Sequence, residues 1–126
     1  MARDHSPRFL ALVEETKQRI REISAAELKR KLDERNRFCL VDVREDQEWT
    51  AGHIPGALHV CKGILERDIE TTVPDPSAEI VLYCGGGFRS ALAADNLQKM
   101  GYRRVRSLAG GWRGWVEDGF PVEKDP

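Results

Sequence analysis

The residues best suited to chemistry stand together at Cys84-Gly85-Gly86-Gly87-Phe88-Arg89-Ser90. The apolar run Ile80-Val81-Leu82-Tyr83 leads into them, and Ala91, Ala94 and Leu97 mark a helical stripe beyond. A strand, a glycine-rich loop opening on cysteine, and a helix starting at Ser90 form an anion site. The first N–H groups of such a helix lack partners within it, and its dipole adds partial positive charge. Three glycines permit positive φ and bring amides close to a bound group. Thiols in such a field favour the thiolate, which is the reactive form. Arg89 contributes a cation that ordinary pH does not neutralise. These features predict a nucleophilic Cys84 in an anion cradle of Gly85, Gly86, Gly87, Phe88, Arg89 and Ser90. The plainer alternative is a small buried hydrophobe at a strand end. The glycines and Arg89 favour chemistry.

Other reactive residue types are weaker candidates. Cys39 lies inside an apolar strand and reads as core. Cys61 follows a strand near Lys62 and reads as exposed, with a second redox thiol as the alternative. Asp42 and Arg44 form either a surface ion pair worth under about 1 kcal/mol or a supporting pair at the site edge. The latter follows because ligands of open α/β sheets bind at the carboxyl ends of strands. Trp49, Trp112 and Trp115 suit core packing, with Trp49 a possible pocket wall. His53 is expected to fix its loop by hydrogen bonding rather than act as a base, and His59 to be structural or solvent-facing. Arg103, Arg104 and Arg106 read as a solvated edge.

The elements that must position Cys84 follow from periodicity and punctuation. Pro7 to about Arg21 is a helix, with Ser6 as cap, Pro7 at its first position and Phe9, Val13, Thr16 and Ile20 as its stripe. It is expected to pack on the domain, with contact to a partner as the alternative. Ile20 to Ile23 suggests an edge strand, and Ser24-Ala25-Ala26-Glu27 a capping box opening a helix to about Glu34. Phe38–Val43 and Ala57–Val60 read as strands, Glu45–Thr50 as one or two helical turns, and Gly52-His53-Ile54-Pro55-Gly56 as a loop. Ile64 to Thr72 is helical and stops at Val73-Pro74-Asp75-Pro76-Ser77. After the cysteine loop, the helix ends at Gly101. A strand at Arg104–Leu108 and a short helix at Trp112–Asp118 complete the pattern. Strands alternating with helices predict a layered α/β domain around a mainly parallel sheet.

The chain of 126 residues is long enough for one domain with its own core. Its formal charge of −1 supplies no reason to expect nucleic acid or an acidic membrane as partner. Three cysteines without a close Cys-x-x-Cys pair argue against a disulfide framework and a structural zinc site. Met1 to Pro7 has no apolar core of signal-peptide type, and no run reaches membrane-spanning length. A reducing cytoplasm is the expected location.

From about Ile23 to Pro121 the pattern resembles the rhodanese (sulfurtransferase) homology domain. Asp42-Val43-Arg44 followed by Trp49-Thr50-Ala51-Gly52-His53-Ile54-Pro55-Gly56-Ala57 is similar to that family's first signature, with Trp49 where phenylalanine or tyrosine is usual. Cys84 through Arg89 resembles its active-site loop. Leu108-Ala109-Gly110-Gly111-Trp112-Arg113-Gly114-Trp115 is similar to its closing signature, with Leu108 replacing an aromatic and Gly114 a polar residue. The resemblance implies a three-layer rhodanese-like domain over 20–126, preceded by a helical extension over 1–19. It also implies a sulfurtransferase that moves a sulfane sulfur through a Cys84 persulfide. The donor would be a small compound such as thiosulfate, and the acceptor cyanide, a thiol or a sulfur-accepting protein. No metal or organic cofactor is implied.

Two other classes remain: a regulatory or binding module on the same fold, and a cysteine phosphatase or arsenate reductase. The related phosphatases place five residues between cysteine and arginine, whereas Gly85 to Phe88 are four. Thiosulfate-preferring relatives often carry basic residues directly after the cysteine, and some carry an arginine before the first-signature aromatic. Here those positions are Gly85, Gly86 and Glu48.

Overall fold

The structure, a computed structural model, describes residues 5–124. The Met1–Asp4 stretch, part of the segment read above for signal-peptide character, lies outside them, as do residues 125–126. Five strands form one sheet: β1 (Arg21–Ile23), β2 (Cys39–Asp42), β3 (Leu58–His59), β4 (Glu79–Tyr83) and β5 (Arg104–Leu108), in the order β1-β5-β4-β2-β3. Every neighbouring pair is parallel. Parallel neighbours need crossovers, and α2 (Ala25–Asp33), α3 (Asp46–Ala51), α4 (Lys62–Thr72) and α5 (Phe88–Lys99) lie in these connections. A further helix, α1 (Pro7–Lys17), precedes the sheet, and α6 (Gly111–Glu117) follows it.

Alternation along the central strand sorts the two faces. Ile80, Leu82 and Cys84 join Leu65 and Ile69 of α4 and Ala93, Ala94 and Leu97 of α5 in one core. Val81 and Tyr83 join Leu28 of α2 and Trp115 of α6 in the other. Each fully buried aliphatic side chain, such as Leu82 or Ile80, stabilises by about 1.5–3 kcal/mol. Cys84 therefore leaves the sheet on the α4/α5 side. The α/β class, the parallel sheet and the extra N-terminal helix are as the sequence predicts.

Several boundaries differ for local reasons. The first helix stops at Lys17 rather than near Arg21, because Arg21–Ile23 pairs with β5, Ile23 opposite Leu108. Only half of the expected capping box forms: Ser24 Oγ accepts the Glu27 N–H at 3.1 Å, while the Glu27 carboxylate turns to Arg106. A complete box opens α3 instead, between Glu45 and Glu48. The basic cluster is largely paired, since Glu79 accepts from Arg104 at 3.2 Å and from Arg106 at 2.9 Å. No helix among the described residues is long and apolar enough to cross a membrane.

The first helix packs on the domain. Val13 and Thr16 are buried, and Arg19 reaches Asp95 of α5 at 3.1 Å. The amino-terminal end of α1 lies over the start of α5, where His5 and Phe9 stand edge-on to Phe88 with centroids 4.7 and 6.1 Å from it.

Candidate active site

The loop after β4 wraps around a sulfur atom. Cys84 Sγ accepts the N–H of Gly87 at 3.2 Å and of Ser90 at 3.3 Å, and lies 3.4 Å from Ser90 Oγ. That hydroxyl is in turn 2.7 Å from Ser107 Oγ of β5, and both serines are fully buried. The first two carbonyls of the loop are tied to α6 from outside. Cys84 C=O accepts the Trp112 N–H at 2.8 Å, and Gly85 C=O accepts the Arg113 N–H at 3.0 Å. The start of α6 thus sets the loop's orientation. Gly111 permits this contact: a Cβ there would lie 2.5 Å from the Cys84 carbonyl oxygen and 2.8 Å from that of Gly85.

Two expectations about the loop need correction. Of its three glycines only Gly87 has positive φ, at 96°. One left-handed residue suffices to turn the strand into the helix, and Gly85 and Gly86 serve instead to leave room for overlying guanidinium groups. The helix also begins at Phe88 rather than Ser90, with Gly87 as its N-cap.

Cys84 is only 1% exposed. It lies at the floor of a cleft of about 600 Å³, whose other walls include Gly85, Gly86, Phe88, Arg89 and Arg113. His5 and Phe9 close one side, so the N-terminal helix contributes to the cleft. Arg89 makes a two-pronged pair with Glu48 of α3, at 2.9 and 3.0 Å. This pair drives the Glu48 carboxyl down to about 2, helped by the Glu45 N–H and opposed by partial burial. Glu48 is therefore ionised at any ordinary pH.

The sign of the resulting pH dependence is fixed. A carboxyl whose folded pKa lies below its unfolded value of 4.5 stabilises the fold above that value and loses the contribution as pH falls towards about 2. Glu48→Gln is expected to lower stability near neutral pH by about 1 kcal/mol or less, the pair being part-exposed. The difference from the parent should vanish as pH falls through that window. Urea unfolding across a pH series measures it; a gap that widens on acidification would contradict the assignment.

Asp42 and Arg44 are brought together, but beneath the surface rather than on it, being 0% and 3% exposed. Arg44 Nε lies 3.0 and 3.1 Å from the two carboxylate oxygens, and its Nη2 donates to one of them at 2.8 Å. The guanidinium also donates to the Gly52 carbonyl at 2.6 Å and stacks over Trp112 with 4.8 Å to the ring. Through Trp112 the pair leans on the residue that holds the Cys84 carbonyl. Trp49 does not line the cleft; it stacks face to face on His53 at 3.5 Å. His53 meets the Trp49 carbonyl and Glu123 at 3.1 and 3.2 Å, fixing the 52–56 loop. His59 contacts the Arg44 carbonyl at 2.8 Å. Cys61 is the N-cap of α4 and is not part of the cleft.

Sequence reasoning missed Ser107, His5, Phe9 and Arg113, and saw Glu48 only as the residue standing where some relatives carry an arginine. Ser107 had a usable signal: it is a polar residue in register with inward-facing Val105. The others depend on long-range packing.

A sequence model of the Rhodanese-like domain matches residues 24–118. The proposed sulfurtransferase YtwF of Bacillus subtilis is 38% identical over 102 residues, covering 81% of this chain and 96% of YtwF. The proposed sulfur carrier protein YrkF of the same organism is 34% identical over 77% of this chain, which spans 51% of YrkF. Among solved structures, a Rhodopseudomonas palustris protein of unknown function, described as a possible tyrosine phosphatase, superposes with a TM-score of 0.83. It is 30% identical, with 98% of this chain and 99% of that one covered. With the loop geometry and the parallel sheet, these likenesses settle the family: the chain belongs to the rhodanese-like domain family and has sulfurtransferases among its relatives.

Proposed function

We propose that the protein is a sulfurtransferase that carries sulfane sulfur on Cys84. The observation that carries this reading is the convergence of the Gly87 and Ser90 N–H groups on Cys84 Sγ. Thiolate and persulfide are both anions, so the same donors stabilise the resting and loaded forms, as an oxyanion hole does for oxygen. In the first step the thiolate attacks the outer sulfur of thiosulfate. A Cys84–sulfur bond forms, the donor S–S bond breaks, and sulfite leaves with the electron pair. In the second, cyanide or a thiolate attacks the terminal sulfur of the persulfide and the Cys84 thiolate leaves. Charge balances in both steps. The name of YrkF makes a protein-bound thiol a further candidate acceptor. Three free cysteines suit a reducing setting such as the cytoplasm.

Asp42 and Arg44 serve as positioning residues in this reading, and Trp49 steadies the loop that Arg44 grips. The alternative of a phosphatase draws on the Rhodopseudomonas likeness. Against it, Glu48 is ionised and both Asp42 oxygens are engaged by Arg44, so neither is placed to protonate a leaving group.

Initial rates with varied thiosulfate and cyanide test the proposal through thiocyanate formation. Parallel double-reciprocal lines are expected for a carrier that is loaded and then unloaded. Intersecting lines would contradict the persulfide. Hydrolysis of an aryl phosphate without any sulfur transfer would favour the phosphatase, and inertness towards both would favour a binding module.

A further inference from the structure

The cleft holds two guanidinium groups in different electrostatic situations. Arg89 is committed to Glu48 through two hydrogen bonds. Arg113 also lines the cleft beside Cys84, and among the described residues its side chain has no carboxylate partner and no hydrogen bond. Its base is anchored to the loop, since its own N–H donates to the Gly85 carbonyl at 3.0 Å. Its head lies directly over Gly86, where a Cβ would collide with the guanidinium. Glycine at position 86 thus makes the space that Arg113 occupies. A guanidinium offers five N–H donors in a planar fork matched to oxyanions. Here that fork stands in the Cys84 cleft without an ion-pair partner of its own, while Glu48, one of the two carboxylates lining the cleft with Glu45, is taken up by Arg89.

We propose that Arg113 is the residue that recognises the donor, pairing with the oxyanion end of a small sulfane compound such as thiosulfate or a thiosulfonate while the outer sulfur meets Cys84. This rests on the sulfur-transfer reading above and assigns the anion contact to α6 rather than to the residues following the cysteine. When the donor S–S bond breaks, negative charge grows on the leaving sulfite. The contact is therefore stronger in the transition state than with bound donor, and its loss appears in kcat/KM.

The test compares probes that differ in an oxyanion. In the first arm, single-turnover loading of Cys84 is followed with thiosulfate and with benzyl hydropersulfide, which transfers its outer sulfur as benzyl thiolate departs. Arg113→Ala is expected to lower the preference for thiosulfate about ten- to a hundredfold, the range for a lost charge-assisted hydrogen bond. Arg113→Lys should recover part of it. Gly86→Ala, which must push the guanidinium aside, should shift the preference in the same direction as Arg113→Ala. An unchanged preference in Arg113→Ala would overturn the proposal.

The second arm does not require sulfur transfer. Cys84 is alkylated with iodoacetate and with iodoacetamide, which differ only in the carboxylate, and the ratio of rates is compared between parent and Arg113→Ala. A several-fold fall in that ratio supports Arg113 as the oxyanion contact, and an unchanged ratio overturns it. If the parent loads from neither sulfur donor, the sulfur-transfer reading fails, and the alkylation ratio still decides the role of Arg113.

Discussion

Cys84→Ser is expected to reduce sulfur transfer from thiosulfate to cyanide by at least about 10⁴-fold, the scale seen when a nucleophile is removed from a preorganised site. The fold should survive. A serine hydroxyl is nearly isosteric, and the Gly87 and Ser90 N–H groups that now meet Sγ would give the buried oxygen its hydrogen bonds. Unfolding free energy is therefore expected to change by no more than about 1 kcal/mol. The amide bowl would remain, but without a sulfur able to form and release an S–S bond. Cys61→Ser is the matched control, since Cys61 caps α4 outside the cleft and its loss should leave transfer intact. Thiocyanate formation and urea unfolding read the two quantities separately. Retained turnover in Cys84→Ser would remove the nucleophile from the account.

The second large effect is on stability. Asp42→Asn leaves Arg44 buried at 3% exposure with its charge no longer matched. Breaking a buried pair by removing one partner costs about 3–5 kcal/mol, a large share of a small domain's stability. The cost arises from the stranded guanidinium, so the double variant Asp42→Asn with Arg44→Met should be more stable than the sum of the two single losses. Tyr83 adds to the effect. Its buried hydroxyl accepts the Ile54 N–H at 3.1 Å, and burial, then the Asp42 carboxylate, pushes the phenol's pKa upward. Urea unfolding of the two single variants and the double one gives the coupling. A loss under about 1 kcal/mol for Asp42→Asn would mean the pair behaves as a surface contact.

The layered sheet and the place of Cys84 were legible because they are local signals. Ile80 to Tyr83 is an apolar run long enough for a buried strand, and a triple glycine after it ends any regular element. The character of Asp42 and Arg44 was not legible. Their two-residue spacing is equally compatible with solvent, and only the packing of the 52–56 loop and Trp112 over them decides the matter. The glycines misled in a particular way. Three in a row suggest three unusual backbone angles, yet only Gly87 is left-handed, while Gly85 and Gly86 lie under Arg89 and Arg113. Pairing of Arg89 with Glu48 was hidden for the same reason, since 41 positions separate them. Likewise, nothing in the periodicity of the first helix indicates that Phe9 would reach Phe88 at the cleft.

The central claim is that one sulfur atom, held by inward-facing amides, carries another. Intact mass measurement after brief exposure to thiosulfate and removal of excess donor tests it most directly. The account predicts a gain of one sulfur atom, reversed by a thiol reductant, mapped by peptide analysis to Cys84 and absent from Cys84→Ser. A sulfur adduct that persists in Cys84→Ser, or a protein that turns over thiosulfate while Cys84 never gains mass, would contradict it.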